Sequence, residues 1–202
     1  ASDWPHHQLD GLGLWVWAAH GHCERHGTAS RWDDALDATA RYLAAHWREP
    51  CVDWWEERDG LHAATLGSIW AGIGGDELRD AIDVDAERLD GSHAFLVALG
   101  LAPREHLDRI ERELGYHRHA DDEYYGGGEW LLLTAMLGLA KPERAAECLA
   151  WIEQHASAAG ELPEQSRDYL LRPERYAPWV EKWGLPAQPL LPDHESGGPD
   201  QQ

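Results

Sequence analysis

The sequence predicts an all-α fold, and three observations predict it. Apolar residues recur at helical spacing along most of the chain. No stretch alternates apolar and polar residues as a half-buried strand does. Proline and glycine punctuate the periodic runs, as at Pro50 and at Gly72, Gly74 and Gly75.

The elements follow in order. Asp10 to His26 carries Leu12, Leu14, Trp15, Trp17 and Ala18 at helical spacing. Trp32 to Trp47 places Leu36, Ala40, Leu43 and Trp47 on one face, and Pro50 stops it. His62 to Ile73 is the third helix, ending among glycines, and Ser92 to Leu99 is a short fourth. Pro103 to Leu114 follows, with its proline placed for a first turn. Glu129 to Leu139 is strongly apolar, Pro142 to Ala158 is the last long helix, and Pro173 to Trp183 is a weaker one. The polar, Gly/Pro-rich tail 192–202 reads as disordered.

Composition bounds the function. The 202 residues, 43% hydrophobic, suffice for one domain with a sizeable core. No apolar run reaches the roughly 18 residues of a membrane helix, so no membrane partner is expected. The first residues lack the basic and apolar regions of a signal peptide, and the chain begins without Met. A net charge of −20, from 37 acidic and 17 basic residues, repels phosphate backbones and argues against nucleic acid. Salt adaptation and a GC-rich genome both account for so much acid with only two lysines. Cys23, Cys51 and Cys148 are odd in number and scattered, as in a reducing compartment, so a cytoplasmic location is expected. Twelve tryptophans against one phenylalanine offer flat faces on which sugars stack, or serve core packing.

The informative residues cluster in loops, where sites on a helical scaffold usually lie. In "DWWEER", Asp53 to Arg58, two adjacent glutamates follow two tryptophans. Repulsion between carboxylates and an aromatic wall both raise a pKa, as a general acid needs; a solvated charged turn is the plainer alternative. "GELPEQ", Gly160 to Gln165, offers Glu161 and Glu164. Glycosidic hydrolysis uses two carboxyl groups flanking one bond, which two acidic loops can supply. "YHRHADDEYYGGGEW" adds Arg118, Asp122, Tyr124 and Tyr125, which can bind hydroxyls or stack. Its three glycines let backbone pass close to a ligand, or make a flexible turn. The 13 histidines include the pairs His6-His7, His20-x-His22 and His117-x-His119. None has a third ligand at a recognised spacing, so no metal and no cofactor are expected.

Taken together, these stretches resemble glycoside hydrolase family 15, the glucoamylase-like family. "WPHHQLDGLGLW" is similar to its segment with Trp six residues before Asp-Gly. "CVDWWEERDGLHAATL" is similar to its acidic "DLWEE" segment. "HRHADDEYYGGGEWLLLTAMLGLA" follows its Arg…Asp-x-Tyr-Tyr pattern, and "GELPEQ" its late Glu-Gln loop. The resemblance runs from Trp4 to Leu191.

It implies an inverting hydrolase releasing glucose from the non-reducing ends of α-glucans or short α-glucosides, with isomaltose- or trehalose-type substrates open. Glu56 would be the general acid and Glu164 the general base, roughly 6.5–9.5 Å apart. Asp53, Trp55 and Glu57 would tune the acid or bind sugar. Arg118 and Asp122 would hold the terminal glucose, with Tyr125 among the binding residues. Trp4 would stack near the scissile bond, and Glu161 would be a turn or rim residue. The implied fold is a partial (α/α)6 toroid of seven to eight helices over residues 1–191. The family's earlier Arg-Asp segment has no counterpart, so the expectation is the C-terminal part of a longer enzyme. Uncovered apolar faces would then make the isolated chain a homo-oligomer, aggregation-prone, or dependent on the missing part. A catalytically inactive helical remnant or interaction protein of the same fold, and a histidine-based epimerase, are the competing readings.

Overall fold

The computed structural model describes residues 7–27, 31–84, 89–113 and 115–183. Trp4 and the tail 192–202 lie outside them. The chain divides into two compact units, Ala1–Arg112 and Glu113–Gln202. The all-α class holds. All eight expected helical segments are present, and a short ninth, Asp76–Asp80, joins them among the described residues.

The first unit is built on α1 (Asp10–His26), α2 (Asp33–His46) and α3 (Ala63–Ile73). Helix α3 is apolar nearly all round and correspondingly buried from Ala64 to Ile69. It crosses α1 at two glycines. A Cβ on Gly13 would sit 2.5 Å from the Ser68 carbonyl oxygen, and one on Gly72 2.6 Å from that of Gly13. Leu9, Val16, Leu36, Leu43, Leu66 and Ile69 fill the core around this crossing. Helix α1 ends where expected because Gly27 takes the left-handed conformation, its φ being 60°. Helix α4 (Asp76–Asp80) follows α3, and α5 (His93–Ala98) packs on α3. Helix α6 (Glu105–Glu113) closes the unit.

The second unit holds the hairpin of α7 (Leu131–Ala140) and α8 (Ala145–Gln154), joined by a 3-10 turn at Pro142–Arg144. Two corrections belong here. The helix expected from Glu129 starts at Leu131, because Glu129–Trp130 form strand β3 and pair antiparallel with β4 (Gln165–Ser166). The helix expected over Pro142 to Ala158 is α-helical only over Ala145–Gln154. Helix α9 (Pro173–Trp183) carries Pro178 inside it. It packs on the Tyr124–Gly126 turn, with Trp179 5.1 Å from the Tyr124 ring. In the first unit, β1 (Cys51–Val52) and β2 (Asp59–Gly60) form another two-residue antiparallel pair.

Candidate active site

The first unit holds the acid loop. Strands β1 and β2 close it as a hairpin, with the Asp53 N–H donating to the Arg58 carbonyl at 2.9 Å. Inside the tip, the Asp53 carboxylate accepts the Glu57 N–H at 2.9 Å and the Arg58 N–H at 3.4 Å. The Asp53 carbonyl accepts the Glu56 N–H at 3.0 Å. Asp53 thus turns the chain by bonding its own following backbone, as Asp does in tight turns. This fixes Glu56 with φ at 59°, left-handed for a residue that carries a Cβ. Glu56 and Glu57 are exposed.

The tryptophans divide their work. The Trp54 indole donates to Ser68 Oγ at 3.2 Å, and its ring lies 5.3 Å from Phe95. It bolts the loop to α3 and α5. Trp55, half-buried, meets Trp54 edge-on at 6.4 Å. Glu56 stands beyond this pair in solvent, so the aromatic wall expected around it does not enclose it in the first unit.

The stretch before α1 supports the loop from below. His7 O accepts the Val52 N–H at 2.9 Å, and Gln8 Nε2 reaches Asp53 O at 3.5 Å. Asp10, 8% exposed, opens α1 there. Burial pushes its carboxyl up, and the nearby Glu56 charge adds to this; bonds from its own N–H, the Gly11 N–H and Gln8 oppose it. Burial, then Asp10, push the neighbouring Cys51 thiol up. Sequence reasoning gave Asp10 no place in the site. The signal was a carboxylate at the start of an apolar helix.

The second unit holds the Arg118 and Glu164 loops. Arg118 and Asp122 form a forked ion pair at 2.8 and 2.6 Å, and both are buried. Asp122 also accepts the Tyr124 N–H at 3.0 Å. Its carboxylate is thus engaged by the guanidinium and by a backbone amide, and it is 0% exposed. The guanidinium lies 5.1 Å from the ring centres of both Tyr124 and Trp130. Tyr125 is likewise buried, 5% exposed, with φ at 46° and its ring against Tyr176 and Trp179 of α9. Its ring helps to hold α9 against the turn.

Glu164 is exposed between buried Pro163 and buried Gln165. Gln165 is a clamp that sequence reasoning missed. Its Oε1 accepts the Gly128 N–H at 2.6 Å, and its Nε2 donates to Tyr124 O at 3.2 Å. At the glycine triplet the backbone passes close to protein. A Cβ on Gly128 would sit 2.6 Å from Gln165 Oε1. Burial, then the Glu164 charge, push the Tyr124 hydroxyl up to about 12, and that hydroxyl donates to the Glu164 carboxylate. Glu161 closes a turn, its N–H donating to Ser157 Oγ at 3.0 Å. Among the described residues, no three His, Cys, Asp or Glu side chains converge as a metal site requires.

Among known proteins, the pattern of the family described as Glycosyl hydrolases family 15 matches residues 1–88, which include the acid loop. The chain is 33% identical over 241 aligned positions to isomaltose glucohydrolase from Kribbella flavida, covering 95% of this chain and 63% of that protein. A solved wild-type glycosidase is 33% identical with a TM-score of 0.81, over 94% of this chain and 65% of its own. A glutamate-to-alanine glycosidase variant in complex with glucose gives the same TM-score of 0.81 and identity of 33%. The chain therefore spans just under two thirds of the length of these relatives. Its helical fold is of the class of these glycosidases.

Proposed function

Because the chain belongs to glycosyl hydrolase family 15, we propose that it acts as an exo-α-glucosidase, by itself or as part of a longer enzyme. The reading has it remove glucose from the non-reducing end of isomaltose-type substrates with inversion. The observation that carries it is the 33% identity to isomaltose glucohydrolase across 95% of the chain. It is supported by one exposed glutamate on a pinned loop in each unit.

In this mechanism the Glu56 carboxyl gives its proton to the glycosidic oxygen as the bond to the anomeric carbon breaks. Glu164 takes a proton from a water whose oxygen forms the new bond on the opposite face. The products are β-glucose and the shortened alcohol. The Tyr124 hydroxyl orients Glu164, and Asp122 orients Arg118 for donation to sugar hydroxyls. Trp4 supplies the stacking surface at the scissile bond.

The test is glucose release from isomaltose, maltose and trehalose, beside Glu164→Gln. Isomaltose should be cleaved fastest, with the β-anomer seen first by NMR. The substitution should lower kcat by about 10²–10⁴ or more without changing the melting curve. First-formed α-glucose would overturn inversion, and full turnover by the variant would overturn Glu164 as base. A folded chain that releases no glucose would fit the inactive helical protein instead.

A further inference from the structure

Of the 13 histidines, only His22 and His26 stand four residues apart. Both lie near the C-terminal end of α1, and both are exposed. Residues four apart on a helix are neighbours on one face. Here the side chains meet: the ring centres are 4.5 Å apart and the rings are tilted by 44°. His20 and His22, two apart, do not share a face of the helix.

The pair differs from the histidines that serve the fold. His117 and His155 are buried, and each lies within hydrogen-bond distance of a carbonyl oxygen, at 3.2 and 2.7 Å. Among the described residues, the rings of His22 and His26 have only each other as partners. Their nitrogens face water.

Imidazole is the commonest metal ligand, and zinc–nitrogen bonds of about 2.0–2.1 Å put two nitrogens on one ion about 3 Å apart. Exposed side chains reach that by turning between rotamers, while the helix stays as it is. An ion enclosed by protein takes three or four protein ligands, and no such group converges among the described residues. An ion on an exposed face needs fewer, because water supplies the rest. The expectation of no metal considered neighbouring pairs and a third ligand, and passed over this spacing. The electrostatics are favourable. The negative end of α1 attracts a cation, Glu24 and Arg25 beside the pair offset each other, and the net charge of −20 draws cations to the surface.

We propose that His22 and His26 form a two-histidine clip for a divalent transition-metal ion of the zinc, nickel and copper class, with water completing its coordination. Imidazole suits these ions, whereas magnesium and calcium take oxygen ligands. The ion bridges successive turns and holds the end of α1 closed, because the pair exists only while those turns are helical. The clip is independent of the glucosidase reading, so turnover is not its readout.

The test titrates zinc into the whole chain in a non-chelating buffer. The ring nitrogens are followed by 15N NMR and the amides of Arg25, His26 and Gly27 by hydrogen exchange. The two rings should shift together along one 1:1 isotherm. At free zinc about nine times Kd, opening of the last turn is suppressed about tenfold, and exchange should slow by that factor. Magnesium should do neither. His22→Gln and His26→Gln, both exposed substitutions that leave α1 folded, should each weaken binding at least about tenfold, since either removes the chelate. His20→Gln and Cys23→Ser should leave it unchanged. Zinc that shifts other histidines and leaves this pair unmoved overturns the proposal. So does affinity that survives His22→Gln, or that is lost with Cys23→Ser and so belongs to the thiol. Shifts of both rings without slowed exchange would mean that each ring binds separately, and would overturn the clip.

Discussion

Glu56 holds a backbone conformation that a side chain disfavours. Its φ of 59° costs roughly 1–2 kcal/mol for a residue with a Cβ. Strain of this kind persists where the surroundings impose it, and here Asp53 imposes it through the Glu56, Glu57 and Arg58 amides. Glu56→Gly should therefore stabilise the chain by about 0.5–1 kcal/mol, the relief being partly offset by the greater freedom of an unfolded glycine. Glu56→Gln keeps the strain and should leave stability unchanged. Both should lose activity, most severely on isomaltose and least on an activated aryl glucoside, whose leaving group needs less protonation. Urea melts of the two variants check the first expectation; a less stable glycine variant would mean that the Glu56 side chain contributes contacts. Asp122 is the opposite case, since it is fully buried and its charge compensates Arg118. Asp122→Asn should cost about 3–5 kcal/mol, because a buried guanidinium loses its counter-charge. A loss of activity at full stability would instead mean that Asp122 reaches substrate.

Elements in the first unit are set by backbone contact and by an acid-sensitive carboxylate just before α5. Helices α1 and α3 touch at Gly13 and Gly72, and the atoms that a Cβ would strike are backbone carbonyls, which cannot swing aside. Gly72→Ala should destabilise by about 1–3 kcal/mol although alanine is the better helix former by about 1 kcal/mol. A more stable alanine variant would show that the helices separate freely. At the start of α5, burial pushes the Asp90 carboxyl up, but bonds with His93 and Ser92 outweigh burial and hold it below its ordinary value. Its contribution is then present above the unfolded value of about 3.9 and is lost as pH falls through the lower folded value. Asp90→Asn should lower stability at neutral pH and flatten its fall below about pH 4, as acid titrations followed by circular dichroism will read. Helices such as these were legible because periodicity and stop signals are local: Gly27 ends α1, and Pro50 lies just beyond α2. The strands were not, since two-residue pairs have no period. Glu129 and Trp130 read as the head of α7 because their partners, Gln165 and Ser166, lie far along the chain. In the candidate site, motif order singles out the glutamates. It does not single out the Gln165 clamp, the buried Asp10 or the inward turns of Asp122 and Tyr125, because each is defined by a contact distant in sequence or by burial.

At the scale of the whole molecule, charge dominates. A net −20 makes the folded chain repel itself, and acids gather locally: Asp10, Asp53 and Asp59 all act on Cys51. Salt at physiological strength screens beyond about 8 Å and should relieve this repulsion. It also weakens favourable surface pairs such as Arg48–Glu77 and Arg144–Glu147, but those are worth about 0–1 kcal/mol each. The buried Arg118–Asp122 pair is screened least. The like-charge excess should win, so raising NaCl from low salt to half molar should raise Tm, by about 2–4 °C for each kcal/mol gained in a chain of this size. Sodium chloride is the salt to use, because sulfate strengthens apolar burial as well and would confound the two effects. A neutral sugar feels no net field from the acidic surface, so KM for isomaltose should stay flat over the same salt range. A Tm that falls with salt would mean that ion pairs, not repulsion, set the balance. A KM that changes steeply while Tm rises would point to a charged substrate and overturn the neutral glucoside as the ligand of this fold.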